Sequence, residues 1–364
     1  MVPMCFRKKS VISILIVLLF IYSLFEVNKR YLEVSGRPLF RKSPLDIAIL
    51  VVVAKGTDPK NYELSTKSVE CYARAQGYHF ILAMDSDYDC SKNQDLFFRR
   101  HCVAAKILPK YSALLFIDAD IGVVNPKKRI EEYLDDNIDV TFYDRFWNYE
   151  VMAGSYLAKN TQYAVDLIRD FGDYEFKLPN SFHGTDNGAI HMFLAEKLFP
   201  EDNVEVSMCK TAYNHSKNWD DVFTYEACIR TIFGAHTDFG RVRIMKKGTG
   251  WARDCWETSG VWNPERDFMM HGWKMYLLGT PPSATIPPKP DAEKWYSPFA
   301  GNIHLEKCTR GNTTWSYNPQ LIMDRKSVDD SLRQFETDVA RSKFAQMSKI
   351  HELMTRTGDE GSKA

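Results

Sequence analysis

The sequence has no excess of charge of either sign, since its 364 residues contain 47 Lys and Arg and 47 Asp and Glu. Proteins that bind nucleic acid usually carry a basic excess, so this balance argues against a nucleic-acid partner. The sequence also lacks internal repeats, low-complexity tracts and any C-x-x-C pair typical of zinc sites. The sequence contains 45% apolar and 26% charged residues, which is the composition of an ordinary globular protein.

Long apolar runs are scarce, and the longest uncharged one, Val11–Phe25, lies near the N-terminus. With its flanks it forms segment 10–27, which is close to the lower limit of ~17 residues for a membrane-spanning helix. Basic residues flank it on both sides, so the segment fits either a cleavable signal peptide or an uncleaved anchor. A signal peptide should end in small residues, whereas this segment ends in bulky ones, which favours the anchor.

An anchor preceded by Arg7, Lys8 and Lys9 predicts a single-pass type II membrane protein. Residues 1–9 would then lie in the cytosol and residues 28–44 would form a stem in the lumen. The short span suits the thinner membranes of the early secretory pathway, so we expect the ER or the Golgi.

Two further features fit a lumenal domain. Asn214-His215-Ser216 and Asn312-Thr313-Thr314 are N-glycosylation sequons. Of the eight cysteines, all but Cys5 follow the predicted anchor, and an oxidising compartment permits disulfides among them. Because that number is odd, at least one cysteine stays free or pairs between chains.

Beyond the stem, apolar runs alternate with helical patterns, which predicts an α/β domain over residues 45–325. Strands are predicted over Leu45–Ala54, Tyr78–Met84 and Ala113–Ile117, the first and third of them buried, and helices over Tyr62–Gln76 and Leu96–Leu108. This alternation is typical of a mostly parallel sheet flanked by helices. Residues 326–364 are predicted to form a C-terminal helix and tail.

Three D-x-D motifs occur, and their contexts differ. Asp85-Ser86-Asp87 and Asp87-Tyr88-Asp89 overlap, and their composition predicts a solvated loop. Asp118-Ala119-Asp120 instead directly follows a predicted buried strand, at the sheet edge where ligands of α/β proteins bind. Two carboxylates separated by one small residue can hold a divalent cation. Such an ion would neutralise the charge that develops on a nucleotide-sugar's diphosphate as the sugar departs.

Two alternatives remain open for this triplet. The carboxylates of Asp118 and Asp120 fit a structural role as well, capping a helix or pairing with Arg or Lys. An aspartyl phosphatase also uses a strand followed by D-x-D. Its motif, however, belongs on the first strand, and Gly122 stands where that class usually has Thr or Val.

Several segments of the sequence, including the one that contains Asp118 and Asp120, resemble a known family. Leu114–Pro126, LLFIDADIGVVNP, is similar to the D-x-D segment of retaining GT-A glycosyltransferases, the galactosyl-, xylosyl- and mannosyltransferases of the Golgi. Phe268–Lys274, FMMHGWK, resembles their late histidine motif, and Ala153-Gly154-Ser155 resembles the segment that lines the donor sugar. The chain resembles the members of a nematode-expanded family of uncharacterised type II membrane proteins related to these enzymes.

The resemblance implies a GT-A-like domain that transfers a hexose or pentose, with retention, from a UDP- or GDP-sugar to a glycan or glycoprotein. Asp118, Asp120 and His271 would bind Mn²⁺, and Asp186 and Asn187 would face the sugar or the acceptor as catalytic residues. The implied donor-binding residues are Val53, Ala54, Lys55, Tyr62, Lys106, Asp118, Gly154 and Lys274.

Several of these roles have a structural alternative. Tyr62 fits simple helix packing, and Gly154 fits a bulge or turn. His271 fits a packed, hydrogen-bonded histidine, and Lys55 and Lys274 fit solvated surface charges. Asp186 fits a residue of the first helical turn, where acidic side chains are favoured. For the whole chain, the alternative function is a lumenal glycan-binding protein that keeps this fold without catalysis.

Overall fold

The computed structural model describes residues 45–280 and 294–356. The predicted cytosolic tail, anchor and stem, residues 1–44, lie outside the described residues. Within the described ranges, no helix combines the length and the apolar character that crossing a membrane requires.

A seven-stranded sheet forms the centre of the fold, in the order β2-β1-β3-β6-β5-β8-β7. Its strands are β1 (Ile47–Val53), β2 (His79–Met84), β3 (Ala113–Phe116), β5 (Val140–Tyr143), β6 (Tyr156–Lys159), β7 (Asp238–Phe239) and β8 (Val242–Met245). The pairs β1–β2, β1–β3 and β5–β8 are parallel, whereas β3–β6, β5–β6 and β7–β8 are antiparallel. The sheet is therefore mixed, which corrects the prediction of a mostly parallel sheet. Only its first half follows the predicted alternation.

Helices cover both faces of this sheet. They are α1 (Glu63–Gln76), α2 (Leu96–Ile107), α3 (Gln162–Gly172), α4 (Thr185–Leu198), α5 (Val204–Asn214), α6 (Trp219–Phe233), α7 (Arg325–Met347) and α8 (Ile350–Thr355). Strand β1 shows why its sequence is continuously apolar. Ile49 and Val51 pack in the cluster that contains residues of α1, whereas Ala48 and Leu50 pack in the cluster that contains residues of α2. Both faces of the strand are thus buried.

The ends of the first two helices follow local sequence signals. Helix α1 ends at Gly77, which has φ of +81° and donates its backbone N–H to the Ala73 carbonyl. Helix α2 begins after Asp95, whose carboxylate accepts the Phe97 backbone N–H. These caps place α1 and α2 as predicted, on the two sides of β1 and β3.

A second, three-stranded sheet brings distant segments beside the D-x-D triplet. It consists of β4 (Ile121–Val123), β10 (Met269–His271) and β9 (Ala252–Asp254), in that order. Strand β10 runs antiparallel to β4 and parallel to β9, so that His271 is opposite both Ile121 and Asp254. Two short strands, β11 (Leu278–Gly279) and β12 (Trp295–Tyr296), pair separately.

Three disulfides join parts of the chain, Cys71–Cys308, Cys90–Cys102 and Cys209–Cys228. Among the cysteines of the described residues, Cys255 alone is free, and it is buried. This distribution confirms that the odd number of cysteines after residue 44 leaves one without a partner.

Candidate metal and donor site

Asp118 and Asp120 lie in the tight turn between β3 and β4, at the carboxyl end of β3. The turn is closed by the Ile121 backbone N–H, which donates to the Asp118 carbonyl at 3.0 Å. The Asp120 carbonyl accepts the backbone N–H groups of Gly272 and Trp273 at 3.0 and 2.9 Å. The residues after β10 are therefore fixed directly against the D-x-D turn.

This register brings His271 to the two carboxylates. His271 Nε2 lies 3.3 Å from Asp120 Oδ1 and 3.8 Å from Asp118 Oδ2. One ligand atom from each of the three residues lies within 4.8 Å of the others. Atoms that share an ion at about 2.2 Å lie at most about 4.4 Å apart, so small side-chain movements suffice for joint coordination. Two carboxylates and an imidazole form a donor set that suits Mn²⁺.

Asp254 orients the His271 ring. Its Oδ1 lies 2.8 Å from His271 Nδ1, which leaves Nε2 facing Asp118 and Asp120. Burial opposes protonation of His271, but Asp120 and Asp254 outweigh it and raise the pKa of His271 to about 10. A carboxylate behind a metal-binding imidazole is a common way to fix its tautomer. Asp254 was not predicted from the sequence, because the register of β9 with β10 is what brings it to His271.

Arg100 of α2 connects the D-x-D turn to α4. Its guanidinium pairs with the Asp118 carboxylate and, through Nη2, with Asp186 Oδ2 at 2.5 Å. Burial raises the pKa of Asp118, and Arg100 opposes this rise. Arg100 was not predicted either. Its position could have indicated a role in the site, because it is a charged residue on the buried face of a helix whose other buried side chains are mostly apolar.

The structure separates the two predicted catalytic residues. Asp186 is fully buried, and besides Arg100 it contacts His101 Nε2 at 3.2 Å. Burial raises the pKa of Asp186, but Arg100 and His101 overcome this effect and the net shift is downward. Asp186 is thus a buried carboxylate that holds Arg100, while its neighbour Asn187 lines the open cavity.

A cavity of about 500 Å³ opens beside the three candidate metal ligands. Predicted site residues that line it are Val53, Ala54, Tyr62, Asp118, Asp120, Asn187, His271 and Lys274. Lys274 Nζ lies 3.9 Å from Asp120 Oδ2, so a cation and an ammonium group would share this end of the cavity. Residues that sequence analysis missed also line it, among them Arg145, Cys255, Trp256 and Lys294.

Three predicted donor-binding residues are not among those that line the cavity. Lys55 is exposed, and its backbone N–H donates to Asp85 Oδ1 at 2.7 Å. Lys106 lies in the last turn of α2, with Nζ 3.9 Å from the exposed Asp89. Gly154 lies directly behind the Asp118 carboxylate. Neither Lys55 nor Lys106 therefore contributes to the lining of this cavity.

Gly154 provides the space that the Asp118 side chain occupies. A Cβ atom at position 154 would lie 2.1 Å from Asp118 Oδ2. We therefore expect Gly154→Ala to displace this carboxylate and to weaken Mn²⁺ binding by roughly 10- to 100-fold. Isothermal titration with Mn²⁺ measures this change. Gly301→Ala, where an added Cβ meets nothing within 4 Å, is the matched control. Unchanged Mn²⁺ affinity in Gly154→Ala would show that Asp118 is not a ligand.

Comparison with known proteins places the chain in a family. Among solved structures, a glycosyltransferase involved in the glycosylation of the major capsid of PBCV-1 is 16% identical with a TM-score of 0.38, over 62% of this chain and 93% of that chain. The bifunctional glycosyltransferase WbbM is 10% identical with a TM-score of 0.27, over 65% of this chain and 47% of that chain.

Among curated proteins, none matches the sequence. The family described as "Protein of unknown function, DUF273" matches residues 69–288, more than half of the chain and a range that includes the D-x-D turn and His271. The chain belongs to the DUF273 family.

Proposed function

We propose that this protein is a metal-dependent glycosyltransferase that moves a sugar from a nucleotide diphosphate sugar to a glycan or glycoprotein. The observation that carries the proposal is the convergence of Asp118, Asp120 and His271 at one end of the cavity. These residues come from two segments far apart in sequence that the β4–β10 pairing joins. A buried cluster of two carboxylates is costly unless cations or hydrogen-bond donors compensate it.

The cavity offers a place for each part of such a donor. Val53, Ala54 and Tyr62 form an apolar and aromatic wall that suits a nucleobase. The three candidate metal ligands and Lys274 would face the diphosphate, whose developing charge a bound Mn²⁺ would neutralise. Asn187 also lines this cavity and would face the sugar.

The proposed reaction needs no oxidant and no further co-reactant. The bond between the anomeric carbon and the diphosphate oxygen breaks, and its electron pair leaves with the diphosphate. The acceptor hydroxyl oxygen forms the new bond to that carbon and releases its proton. We further propose a hexose or pentose donor and retention of configuration, on the resemblance to retaining GT-A enzymes.

Metal removal tests the function directly. We expect the purified full-length chain to bind a UDP- or GDP-sugar and to turn it over with Mn²⁺, and to lose both properties in EDTA. A thermal-shift panel of nucleotide sugars with and without Mn²⁺ identifies the donor, and release of the free nucleotide reports turnover. If nothing binds or turns over with Mn²⁺, the proposed function is wrong. Phosphate release from a phosphomonoester without any nucleotide sugar would instead indicate a phosphatase.

We also propose that the domain lies in the lumen of the ER or Golgi, held by an anchor at residues 10–27. The three disulfides support an oxidising compartment. Asn214 and Asn312, the two sequon asparagines, have exposed side chains at the end of α5 and in a loop near Cys308.

This location predicts N-linked glycans. We expect digestion of the secretory-pathway protein by an amidase specific for N-glycans to increase its gel mobility. Asn214→Gln and Asn312→Gln should each remove one step of the shift, because each deletes one acceptor. Asn318→Gln, outside any sequon, is the control. A wild-type chain whose mobility does not change would contradict the lumenal location.

A further inference from the structure

A row of aromatic side chains leads outward from the cavity beside the candidate metal ligands. Trp256 lines the cavity, and its ring centroid lies 6.0 Å from that of His271. The Trp147 ring lies 6.4 Å from Trp256, and the Phe223 ring lies 6.5 Å from Trp147. Contacts in this range are those of packed aromatic pairs, so the three rings form a continuous apolar path.

The path continues to the surface on the other side of Phe223. The Trp219 ring lies 5.9 Å from Phe223, and the Phe182 ring lies 5.3 Å from Trp219. Trp219 is 44% exposed and Phe182 is 38% exposed, whereas the inner members are partly buried. We call these five residues, Trp256, Trp147, Phe223, Trp219 and Phe182, the aromatic strip.

The strip also lies against the start of α4, the helix that carries Asn187. Gly184, directly before α4, lies so close to the Trp219 ring that an added Cβ would be 3.0 Å from it. Asn187, in the first turn of α4, lines the cavity. The outer part of the strip is thus connected to the cavity both through the rings and through the start of α4.

A second cavity, of about 240 Å³, lies along the strip. Trp147 and Phe223 line it together with Asn148, Tyr149 and residues of α7. Polar side chains line this cavity as well, namely Asn148, Ser342 and Gln346. Amide and hydroxyl groups donate and accept hydrogen bonds, so they suit a hydroxyl-rich molecule.

Two cations at this surface are matched by carboxylates. Asp338, which lines the second cavity, lies 3.0 Å from Arg341, and Asp220, beside Trp219, lies 2.9 Å from Lys349. Because Arg341 and Lys349 are paired, they offer little attraction to an anionic headgroup or an acidic chain. A neutral occupant with apolar faces and hydroxyl groups fits both the rings and the polar side chains that line the second cavity.

We propose that the aromatic strip and the second cavity bind the acceptor, and that the acceptor is a neutral oligosaccharide. Sugar rings present C–H faces that the negative faces of aromatic rings attract, and their hydroxyls serve as hydrogen-bond acceptors and donors. The strip spans from Trp256, next to the donor cavity, to the surface at Phe182, so it takes several sugar units with the terminal one at the metal site. This inference rests on the proposed function, since it supplies that reaction's second substrate.

Binding to the full-length chain tests this inference. The probes are neutral oligosaccharides of galactose, mannose or xylose, sulfated oligosaccharides as the acidic arm, and vesicles of neutral or anionic phospholipid. We expect one of the neutral oligosaccharides to bind and to quench tryptophan fluorescence. Trp219→Ala and Phe182→Ala should weaken this binding, or raise the acceptor KM, by roughly 10-fold or more. The affinity for Mn²⁺ and the nucleotide sugar should not change.

The matched control is Phe344→Ala, which removes an aromatic side chain on α7 that is 80% exposed and lies outside the strip. Trp219 and Phe182 are surface residues, so their variants should fold, and a thermal-unfolding curve verifies this.

Three results overturn the inference. The first is that Trp219→Ala and Phe182→Ala bind neutral oligosaccharides as tightly as the wild type does. The second is that the protein prefers the sulfated oligosaccharides, and the third is vesicle binding or self-association that depends on Trp219. Failure of the proposed function is distinct, because it shows as loss of Mn²⁺-dependent donor binding in the wild type. Neutral-oligosaccharide binding without donor binding would identify a glycan-binding protein that uses the same strip.

Discussion

In the Asp120→Asn variant, the rate of Mn²⁺-dependent turnover of the nucleotide sugar should be at least about 100-fold lower than in the wild type, because the substitution removes a charged metal ligand. Asp120 also provides the largest of the attractions that hold the pKa of His271 up. An amide of the same shape keeps the backbone bonds from Gly272 and Trp273 to the Asp120 carbonyl, so the turn should remain folded. Turnover measured against Mn²⁺ concentration, together with Mn²⁺ titration calorimetry, separates weak metal binding from a slow reaction.

Asp87→Asn is the matched control for this prediction. Asp87 belongs to both of the other D-x-D motifs, but it is exposed in the loop after β2 and does not line the cavity. Its replacement should leave turnover and Mn²⁺ affinity within about twofold of wild type. Normal turnover by Asp120→Asn would remove the basis for assigning the metal to this turn.

The Arg100→Met variant should lose about 3–5 kcal/mol of the free energy of unfolding, because it leaves two buried carboxylates without their cation. Asp186 is fully buried, and Asp118 is mostly buried. Methionine has a similar length, so the loss would reflect charge more than packing. Urea unfolding at pH 7 in EDTA measures the difference from wild type without a metal to compensate.

The pH dependence distinguishes this electrostatic loss from a packing defect. In the wild type the net pKa shift of Asp186 is downward, so its stabilising contribution is present above the unfolded pKa and disappears as the pH falls through the folded pKa. The deficit of Arg100→Met should therefore shrink at acidic pH, where the carboxylates are protonated. A deficit that stays constant as the pH falls from 7 to below 3.8, the ordinary pKa of an aspartate, would mean that lost packing dominates.

Arg169→Met is the control for Arg100→Met. Arg169 lies on α3 and pairs with Asp166 at 2.7 Å, but both side chains are well exposed to solvent. Exposed ion pairs contribute little, so this variant should stay within about 0.5 kcal/mol of wild type. A comparable loss in both variants would contradict a special role for the Arg100 pairs.

The first half of the fold was predictable because its signals are local. The apolar runs of β1, β2 and β3, and the Gly77 end of α1, depend on neighbouring residues alone. The second half was less predictable. Helices α5 and α6 were not predicted, and the antiparallel pairing of β6 with β3 made the sheet mixed. Strand direction depends on how the chain returns to the sheet, which short windows of sequence do not record.

The candidate site divides in the same way. Asp85 and Asp87 have the same spacing as Asp118 and Asp120. Asp118 and Asp120 stood out because the strand that precedes them was predicted to be buried. The structure then added Arg100 and Asp254, whose neighbours in sequence give little sign that they belong to a site. It also changed the role expected of Gly154, from space for a donor sugar to space for the Asp118 carboxylate.

The amino-acid sequence alone indicates that two carboxylates, Asp118 and Asp120, are presented at the end of a buried strand. Hydrophobic periodicity and a two-residue spacing are local properties, so a single sequence records them. Which groups surround those carboxylates depends instead on the tertiary structure. The β4–β10 register brings His271 to them, the β9–β10 register brings Asp254 to His271, and the packing of α2 against α4 brings Arg100 between Asp118 and Asp186. These contacts join residues far apart along the chain, and they form only when the strands have paired and the helices have packed.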